Sequence, residues 1–584
     1  MNDLKRLFGY MGPYRRDMAL GMLLVVVESA FEMVIPILMS DIIDQGVTNG
    51  DVREIGWTGV EMAVCAVLAL ITGLLYARYA ARASYGFGAR IRQAEYAKVQ
   101  AYAFGNLDHF ETSSLITRMT TDVTVVQNAI NGGFRPMVRG PAMLVLGVAL
   151  SFYMSPSLAA VFFVCAPVLG VILFFIVRRI APLYARLQQA MDHLNTVVQE
   201  CLTAIRAVKA FVRGEYEEEK FQAVNTELMD VSMTTFRTAV LNLPAFQLTM
   251  YAAMVSILWF GGNMILQGSL TVGRLTSFLS YVLQVMNSLM MISNVFLLMT
   301  RSLASAHRIA AVLDEQVELE SPAHPVTEIP DGGVKFEHVS FKYHPDAAEY
   351  ALAGIDLVIQ PGETVGILGG TGSAKSTLVQ LIPRLYDATE GRVLVGGRDV
   401  REYDLTALRD AVGIVLQKNV LFSGTVRENL LWGNPGASDE ELWAACRAAC
   451  ADEFLQRMPG GLDADLGQGG VNVSGGQKQR LCIARTLLKK PRVLIFDDSV
   501  SAVDTATEAR IRKALAALTG VTKIIIAQRV TSVMNTDKIV VLEDGRIHAV
   551  GTHSQLLASD PIYQEIYHSQ MKGGGADGST ADHR

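Results

Sequence analysis

The stretch GETVGILGGTGSAKSTLVQ covers residues 362–380 and decides the fold of the second half of the chain. It joins an apolar strand pattern to a glycine-rich turn and then to the start of a helix. The turn closes with Lys375, Ser376 and Thr377. This order of strand, loop and helix predicts a phosphate-binding loop, because loop N–H groups and a helix N-terminus attract anions.

We expect this loop to bind ATP with Mg²⁺. Lys375 would reach the terminal phosphate oxygens and Ser376 would ligate the metal. The predicted loop residues are Gly369, Gly370, Thr371, Gly372, Ser373, Ala374, Lys375, Ser376 and Thr377. Ala374 departs from the usual glycine before the lysine: its methyl group either crowds the phosphates or is harmless if the backbone φ is helical. We expect binding to survive, with equal or reduced affinity.

A second apolar strand pattern, residues 493–496, ends in Asp497 and Asp498. An acid at the end of a buried strand beside a phosphate loop ordinarily holds the water shell of Mg²⁺. We therefore assign a metal-binding role to Asp497.

The first 305 residues are dominated by long apolar runs. A helix needs about 20 apolar residues to cross a bilayer, so six spans are predicted. The runs cover residues 18–39, 55–77, 137–154, 158–177, 243–266 and 275–299. The connections 78–135 and 178–242 keep helical periodicity with many charges, which predicts helices that project into the cytosol.

The composition sets limits on the class of protein. Of 584 residues, 50% are hydrophobic and only 18% are charged, against about 25% in soluble domains. A disordered chain and a purely soluble enzyme are therefore excluded. The net charge of −6 and the lack of a Lys/Arg tract give no reason to expect a nucleic-acid partner. The six cysteines have no metal-ligand spacing and are predicted to be small buried hydrophobes.

Basic residues cluster before the first span and after the second and fourth spans, which predicts a plasma-membrane protein with both termini in the cytoplasm. Prolines at 322, 325 and 330 mark a linker. The predicted domains are a transmembrane domain at 1–315, a linker at 316–333, a nucleotide-binding domain at 334–572 and a disordered tail at 573–584.

Residues 473–480, VSGGQKQR, resemble the signature motif of ABC ATPases and stand just before the strand that ends in Asp497. Tyr343 resembles the family's adenine-stacking aromatic residue, Gln417 the Q-loop glutamine that approaches the metal and the reacting water, and residues 501–504 the D-loop. With six spans in front, the whole chain resembles an ABC exporter half-transporter, and in particular the degenerate-site subunit of bacterial heterodimeric multidrug exporters.

This resemblance implies a multidomain fold, with an all-α transmembrane domain followed by an α/β P-loop ATPase domain that carries an α-helical subdomain. It also implies that two nucleotide domains face each other head to tail. ATP would then lie between the loop of one domain and the signature of the other. The implied signature contacts are Ser474, Gly475, Gly476 and Gln477.

Two implied catalytic positions depart from the family pattern. Asp498 replaces a glutamate that polarises the attacking water, and its shorter side chain is expected to hold the carboxylate too far back for efficient general-base catalysis. Gln528 replaces the switch histidine, and an amide can donate a hydrogen bond but cannot carry a proton. We therefore predict a heterodimer whose partner has the glutamate and the histidine. The alternative is a homodimer in which Asp498 works slowly.

The leading functional hypothesis is export of amphipathic compounds or drugs. The alternatives are a lipid or peptide exporter and a regulatory ABC protein that uses ATP binding rather than turnover. Residues 107–122 and 205–215 resemble the coupling regions of exporters.

Polar residues inside the predicted spans allow two interpretations each. Glu28, Glu32 and Glu61 either bind cationic substrates or have a structural place, bonding neighbouring spans or lying near the outer surface. A stripe in the sixth span either lines a water-filled cavity or packs against other helices. The stripe consists of Gln284, Asn287, Ser288, Met291 and Asn294.

Overall fold

The computed structural model describes residues 2–498 and 505–573. Within these ranges it leaves out the side chains at 2, 161–163, 165, 166, 169, 173, 177, 242, 293–301, 505, 572 and 573. The predicted D-loop at 501–504, the tail from 574 onward and the side chain of Asn294 therefore lie outside the described residues.

The chain divides into two compact units. The first consists of Met1–Gln100 and Ser113–Asp314, and the second of Ala101–Thr112 and Glu315–Arg584. The short segment Ala101–Thr112 thus clusters with residues that follow it by more than two hundred positions.

The first unit is helical. Its longer helices are Arg15–Asp41, Val52–Ala101, Val123–Met154, Pro156–Thr203, Gly214–Ala239, Asn242–Leu266 and Val272–Asp314. Its shorter elements are Asn2–Leu7, Phe8–Tyr14, Ile42–Val47, Thr112–Thr117, Arg118–Asp122 and Ile205–Ala210. Among the described residues, five helical stretches are long and apolar enough to cross a membrane. They contain the predicted first, second, third and fifth spans and the part of the sixth up to Ile292. The fourth lies within Pro156–Thr203, where several side chains are not described.

Two helices are much longer than a bilayer requires. Val52–Ala101 has 50 residues and Pro156–Thr203 has 48, so each is about 70–75 Å long at about 1.5 Å per residue. The hydrocarbon core of a bilayer is only about 30 Å thick. Pro156–Thr203 begins where the sequence provides a cap: Ser155 Oγ accepts a hydrogen bond from the Leu158 N–H, and proline occupies the first turn. The predicted helical character of both long connections is confirmed, with short breaks such as the one at Tyr102 and Ala103.

The second unit contains two sheets. The strands are β1 (Val334–Phe341), β2 (Leu352–Ile359), β3 (Thr364–Leu368), β4 (Glu390–Val395), β5 (Arg398–Asp399), β6 (Val412–Val415), β7 (Val493–Asp497), β8 (Thr522–Ile526), β9 (Lys538–Glu543) and β10 (Arg546–Gly551). An antiparallel sheet has the order β2-β1-β4-β5, and the other sheet has the order β10-β9-β3-β8-β7-β6. In the larger sheet all pairings are parallel except that of β10 with β9.

The helices of the second unit complete the predicted α/β domain with its helical subdomain. Between β6 and β7 the chain forms Val426–Leu431, Asp439–Ala448, Asp452–Arg457 and Gly475–Leu488, with short 3-10 turns at Gly461–Asp463 and Gln468–Gly470. The other helices are Phe104–Asp108, Lys375–Gln380, Val400–Glu402, Leu405–Ala411, Thr505–Ala516, Val530–Val533, His553–Ser559 and Pro561–Gly573. The fold class is therefore confirmed.

The parallel strands determine where the candidate site lies. β8 pairs with β3 on one side and with β7 on the other. Because parallel strands end at the same edge of a sheet, the segments that follow these three strands come together. These segments contain the predicted phosphate loop, Gln528 and Asp498.

Asn106 anchors the segment Ala101–Thr112 in the second unit. Its side chain is fully buried. Asn106 Oδ1 accepts hydrogen bonds from the Ala103 and Glu318 N–H groups at 3.1 and 3.2 Å. Its Nδ2 donates to the Gln316 carbonyl at 2.6 Å and to Glu315 Oε1 at 3.1 Å. The carbonyl oxygen of this buried amide accepts two hydrogen bonds and its NH₂ group donates two, and these four bonds hold the segment in place.

Replacing Asn106 with alanine is expected to loosen this segment. The change leaves buried N–H and carbonyl groups without partners, at a cost of about 3 kcal/mol in the free energy of local opening. Hydrogen exchange of the amides in 101–112 measures the effect. Gln100→Ala, at an exposed neighbouring position, serves as the control and is expected to leave exchange unchanged. Equal protection in both variants would contradict the anchoring role.

Candidate nucleotide-binding site

A cavity of about 660 Å³ lies at the edge where β3, β7 and β8 end. Eleven of the predicted site residues line it: Tyr343, Thr371, Gly372, Ala374, Lys375, Ser376, Thr377, Gln417, Asp497, Asp498 and Gln528. Tyr350, Asp544 and Gly545 also line the cavity. Sequence reasoning missed these three, because they come from turns in separate parts of the chain and belong to no motif.

The phosphate loop is closed by its own hydrogen bonds. Lys375 Nζ donates to the Gly369 and Gly370 carbonyls at 2.9 and 2.6 Å. A Cβ atom at Gly369 would lie 2.2 Å from the Leu542 carbonyl oxygen, so only glycine fits there. Burial lowers the pKa of the Lys375 ammonium, while Asp498 and Asp497 act in the opposite direction. Phosphate oxygens carry negative charge and would therefore bind this ammonium more strongly than the two carbonyl groups do.

Ala374 adopts the left-handed conformation, with φ of 65°. The condition under which its methyl group would be harmless, a right-handed helical φ, is not met. A Cβ atom in this conformation costs about 1 kcal/mol relative to glycine. The loop therefore keeps the glycine-type backbone in spite of the substitution and bears the strain.

Ser376 and Asp497 form a hydroxyl–carboxylate pair. Ser376 Oγ donates to Asp497 Oδ1 at 2.7 Å, and Asp497 is 3% exposed. Burial raises the pKa of the Asp497 carboxyl. These two oxygen ligands, with Gln417 on the same cavity wall, fit Mg²⁺, which prefers oxygen and takes few protein ligands beside phosphates. In the described part of the chain no group of three or more His, Cys, Asp and Glu side chains could hold a metal ion.

The two substituted catalytic positions contact each other. Gln528 Nε2 donates to Asp498 Oδ2 at 2.6 Å. Asp498 has φ of 46°, a conformation that aspartate tolerates better than most residues. One oxygen of the candidate general base is therefore already engaged by an amide.

Tyr343 links the cavity to the segment Ala101–Thr112. Its hydroxyl lies 2.8 Å from Thr377 Oγ1, and its ring meets the edge of the Tyr386 ring with 5.4 Å between centroids. Tyr386 in turn donates a hydrogen bond to Asp108 Oδ2 at 2.7 Å, and its ring packs edge to face with Phe104. Burial raises the pKa of both tyrosine hydroxyls, so both remain protonated donors at neutral pH. No motif marked Tyr386.

The signature residues lie elsewhere in the second unit. Ser474 caps the helix Gly475–Leu488: its Oγ accepts from the Gln477 N–H at 3.4 Å, while Gln477 Oε1 accepts from the Ser474 N–H at 2.8 Å. Gly475 and Gly476 form the first turn of this helix. The four residues are not among those that line the cavity described above.

The carboxylates of the first span are paired within the first unit. Glu28 Oε1 accepts from Arg135 Nη2 at 2.5 Å, and Glu32 Oε2 accepts from Arg139 Nη2 at 2.6 Å. Both carboxylates thus bond a neighbouring span, as one of the two interpretations predicts. Glu61 is exposed on its helix.

Two family models match the chain. The ABC transporter transmembrane region covers residues 18–289, and the ABC transporter model covers residues 352–501. An uncharacterized ABC transporter ATP-binding protein of Bacillus subtilis, YfiB, is 37% identical over 99% of this chain and 100% of its own length. The chain belongs to the ABC transporters. With both regions in one polypeptide, it is an ABC exporter half-transporter and a multi-pass membrane protein.

Two further proteins are similar to this half-transporter over nearly its whole length. An ATP-dependent lipid A-core flippase of Desulfotalea psychrophila is 30% identical over 97% of this chain and 99% of its own length. A bacterial Atm1-family ABC exporter, solved with ATP bound, is similar with a TM-score of 0.80 and 25% identity, over 98% of this chain and 100% of that one.

Ala374→Gly is expected to relieve the strain in the phosphate loop of the half-transporter. The free energy of unfolding should rise by up to about 1 kcal/mol, and ATP should bind up to about fivefold more tightly. Thermal unfolding and titration with ATP measure the two effects. Ala407→Gly, within the helix Leu405–Ala411, is the matched control and should destabilise the protein instead. A loss of stability in Ala374→Gly would contradict the strain.

Proposed function

We propose that this half-transporter contributes a slowly hydrolysing ATP site and an intact signature motif to a heterodimeric exporter of amphipathic compounds. The hydrogen bond between Gln528 and Asp498 is the observation that carries this proposal. It brings the two altered catalytic positions into one contact.

The chemistry of this pair favours slow hydrolysis. A general base must accept a hydrogen bond from the attacking water and then take its proton. Asp498 is one methylene shorter than glutamate, and its Oδ2 already accepts from the Gln528 amide. Gln528 has no proton to exchange at neutral pH. Both changes weaken proton transfer at the same place.

The rest of the cavity supports ATP binding. Lys375 and the loop N–H groups would hold the phosphates, Tyr343 would stack on the adenine, and Ser376 and Asp497 would hold Mg²⁺. When bound, the metal would supply charge neutralisation at the phosphates. ATP is thus expected to bind at this site and to persist there.

The position of the signature supports a second subunit. Gly475 and Gly476 place their N–H groups in the first turn at an exposed helix N-terminus, next to the capping box of Ser474 and Gln477, and such a terminus suits the binding of an anion. These residues do not line the cavity of their own chain. We infer that they complete the ATP site of a partner half-transporter that has the glutamate and the histidine.

The ATP turnover of the purified chain in lipid tests this proposal. Turnover should be barely detectable for the natural chain and should rise about 100-fold in the Asp498→Glu, Gln528→His double variant, since a positioned base contributes about 10²–10⁴. The triple variant that also carries Lys375→Ala is the control and should abolish the gain. Brisk turnover by the natural chain would instead establish a homodimer in which Asp498 suffices. No gain in the double variant would favour a regulatory protein that only binds ATP.

The substrate class rests on the membrane half. Met39, Met62, Met143 and Met291 line a cavity of about 550 Å³ in the first unit, and flexible thioethers adapt to varied apolar shapes. This lining supports amphipathic small molecules as the exported substrates. Export of a lipid is the second candidate, because a relative at 30% identity is an ATP-dependent lipid A-core flippase.

Tyr386→Phe is expected to weaken the coupling of ATP binding to transport. The variant keeps the ring contacts with Tyr343 but loses the bond to Asp108, worth about 1 kcal/mol, so transport per ATP hydrolysed should fall about fivefold. The ATP affinity of the complex should stay within about twofold. Substrate flux and ATPase activity of the reconstituted complex are measured together. Tyr567→Phe, in the C-terminal helix, is the control; an unchanged ratio in Tyr386→Phe would exclude this coupling role.

A further inference from the structure

The first unit has an open cavity of about 550 Å³ between its first, third and sixth spanning helices, with Met62 contributed by the second. The polar part of its wall consists of Glu32, Arg139, Ser280, Gln284, Asn287 and Ser288. Four of the five residues of the polar stripe predicted on the sixth span, Gln284, Asn287, Ser288 and Met291, therefore line a cavity.

Two ion pairs join the first and third of these helices, and one of them, Glu32–Arg139, borders the cavity. Glu28 and Glu32 lie four residues apart on the helix Arg15–Asp41, and Arg135 and Arg139 lie four apart on Val123–Met154. Arg135 Nη2 lies 2.5 Å from Glu28 Oε1, and Arg139 Nη2 lies 2.6 Å from Glu32 Oε2. Arg139 Nη1 also lies 3.5 Å from Glu28 Oε1. The four charges sum to zero.

The two pairs differ in their access to a ligand. The Glu28 side chain is only 5% exposed and faces no ligand, so it serves as an internal counterion. Glu32 and Arg139 are 29% and 21% exposed, and both line the cavity. A ligand would therefore meet a carboxylate and a guanidinium side by side.

We propose that this cavity binds amphiphiles whose polar end carries both a positive and a negative group. This inference rests on the proposed export function and names the substrate class. A ligand with a single charge would attract one member of the Glu32–Arg139 pair and repel the other in a poorly solvated site. A zwitterionic head group, aligned antiparallel to the pair, gives each charge an opposite neighbour.

The neighbouring groups fit the same ligand. Gln284 and Asn287 line the same cavity as Glu32, and a side-chain amide oxygen can accept from an ammonium or amide N–H. Arg139 keeps guanidinium N–H donors for a carboxylate or phosphate, because a guanidinium has five. The methionines accommodate the apolar tail.

Four probes with the same twelve-carbon tail test the proposal on the full chain in nanodiscs, below their micellar concentrations. They are dodecylphosphocholine (zwitterionic), dodecyltrimethylammonium (cationic), dodecyl phosphate (anionic) and dodecyl maltoside (uncharged). Binding is measured by the shift of the thermal unfolding midpoint with probe concentration. The zwitterion should bind about tenfold more tightly than each of the others.

Variants that remove one charge should change which probe the chain prefers, and the direction of the change is specific to this site. Glu32→Gln should move the preference to the anion and Arg139→Gln to the cation. The double variant Glu32→Gln, Arg139→Gln should reduce the zwitterion to the affinity of the maltoside. This double variant also shows whether the fold tolerates the loss of both charges. Glu61→Gln removes a membrane carboxylate that does not line the cavity and should change nothing.

The outcomes separate this inference from the export hypothesis. Tightest binding of the cation, the anion or the maltoside by the natural chain would overturn the zwitterion preference, and so would equal binding of all four. A zwitterion preference that survives in the double variant would place the site elsewhere and also overturn it. None of these results bears on ATP-driven transport, which the flux and turnover measurements decide.

Discussion

The parallel pairing of β3 and β7 with β8 is the constraint on which the nucleotide site depends. It brings the ends of three strands to one edge of the sheet, although β3 lies more than one hundred residues before β7 and β8 in the chain. The Ser376–Asp497 bond then crosses from the loop after β3 to the end of β7. Because the backbone pairing fixes these positions, Asp498, directly after β7, lies at the same edge of the sheet.

A short segment of the second unit is joined along the chain to the membrane half. Ala101–Thr112 belongs to the second unit, where Asn106 holds it with four hydrogen bonds and Tyr386 bonds Asp108. Both ends of this segment continue into long helices of the first unit. A movement at Tyr343 can therefore reach these helices through one aromatic contact and one hydrogen bond.

Charge inside the membrane half is governed by the cost of burial. Isolated carboxylates are expensive in a bilayer, and the first span has two. The third span supplies two arginines at the same spacing, so each carboxylate has an opposite charge on a neighbouring helix. The carboxylates that suggested cation binding therefore belong to two ion pairs without net charge.

The sequence by itself determined the class of fold, most of the spans and the residues of the phosphate loop, because hydropathy, periodicity and local motifs are properties of neighbouring residues. It also pointed to Asp498 and Gln528 as a weakened pair. Their mutual hydrogen bond, the left-handed backbone at Ala374, the role of Asn106 and the pairing of Glu32 with Arg139 were decided only by the tertiary structure. Each depends on groups that are distant in the chain, or on a backbone angle set by surrounding contacts, and no local pattern records such distances.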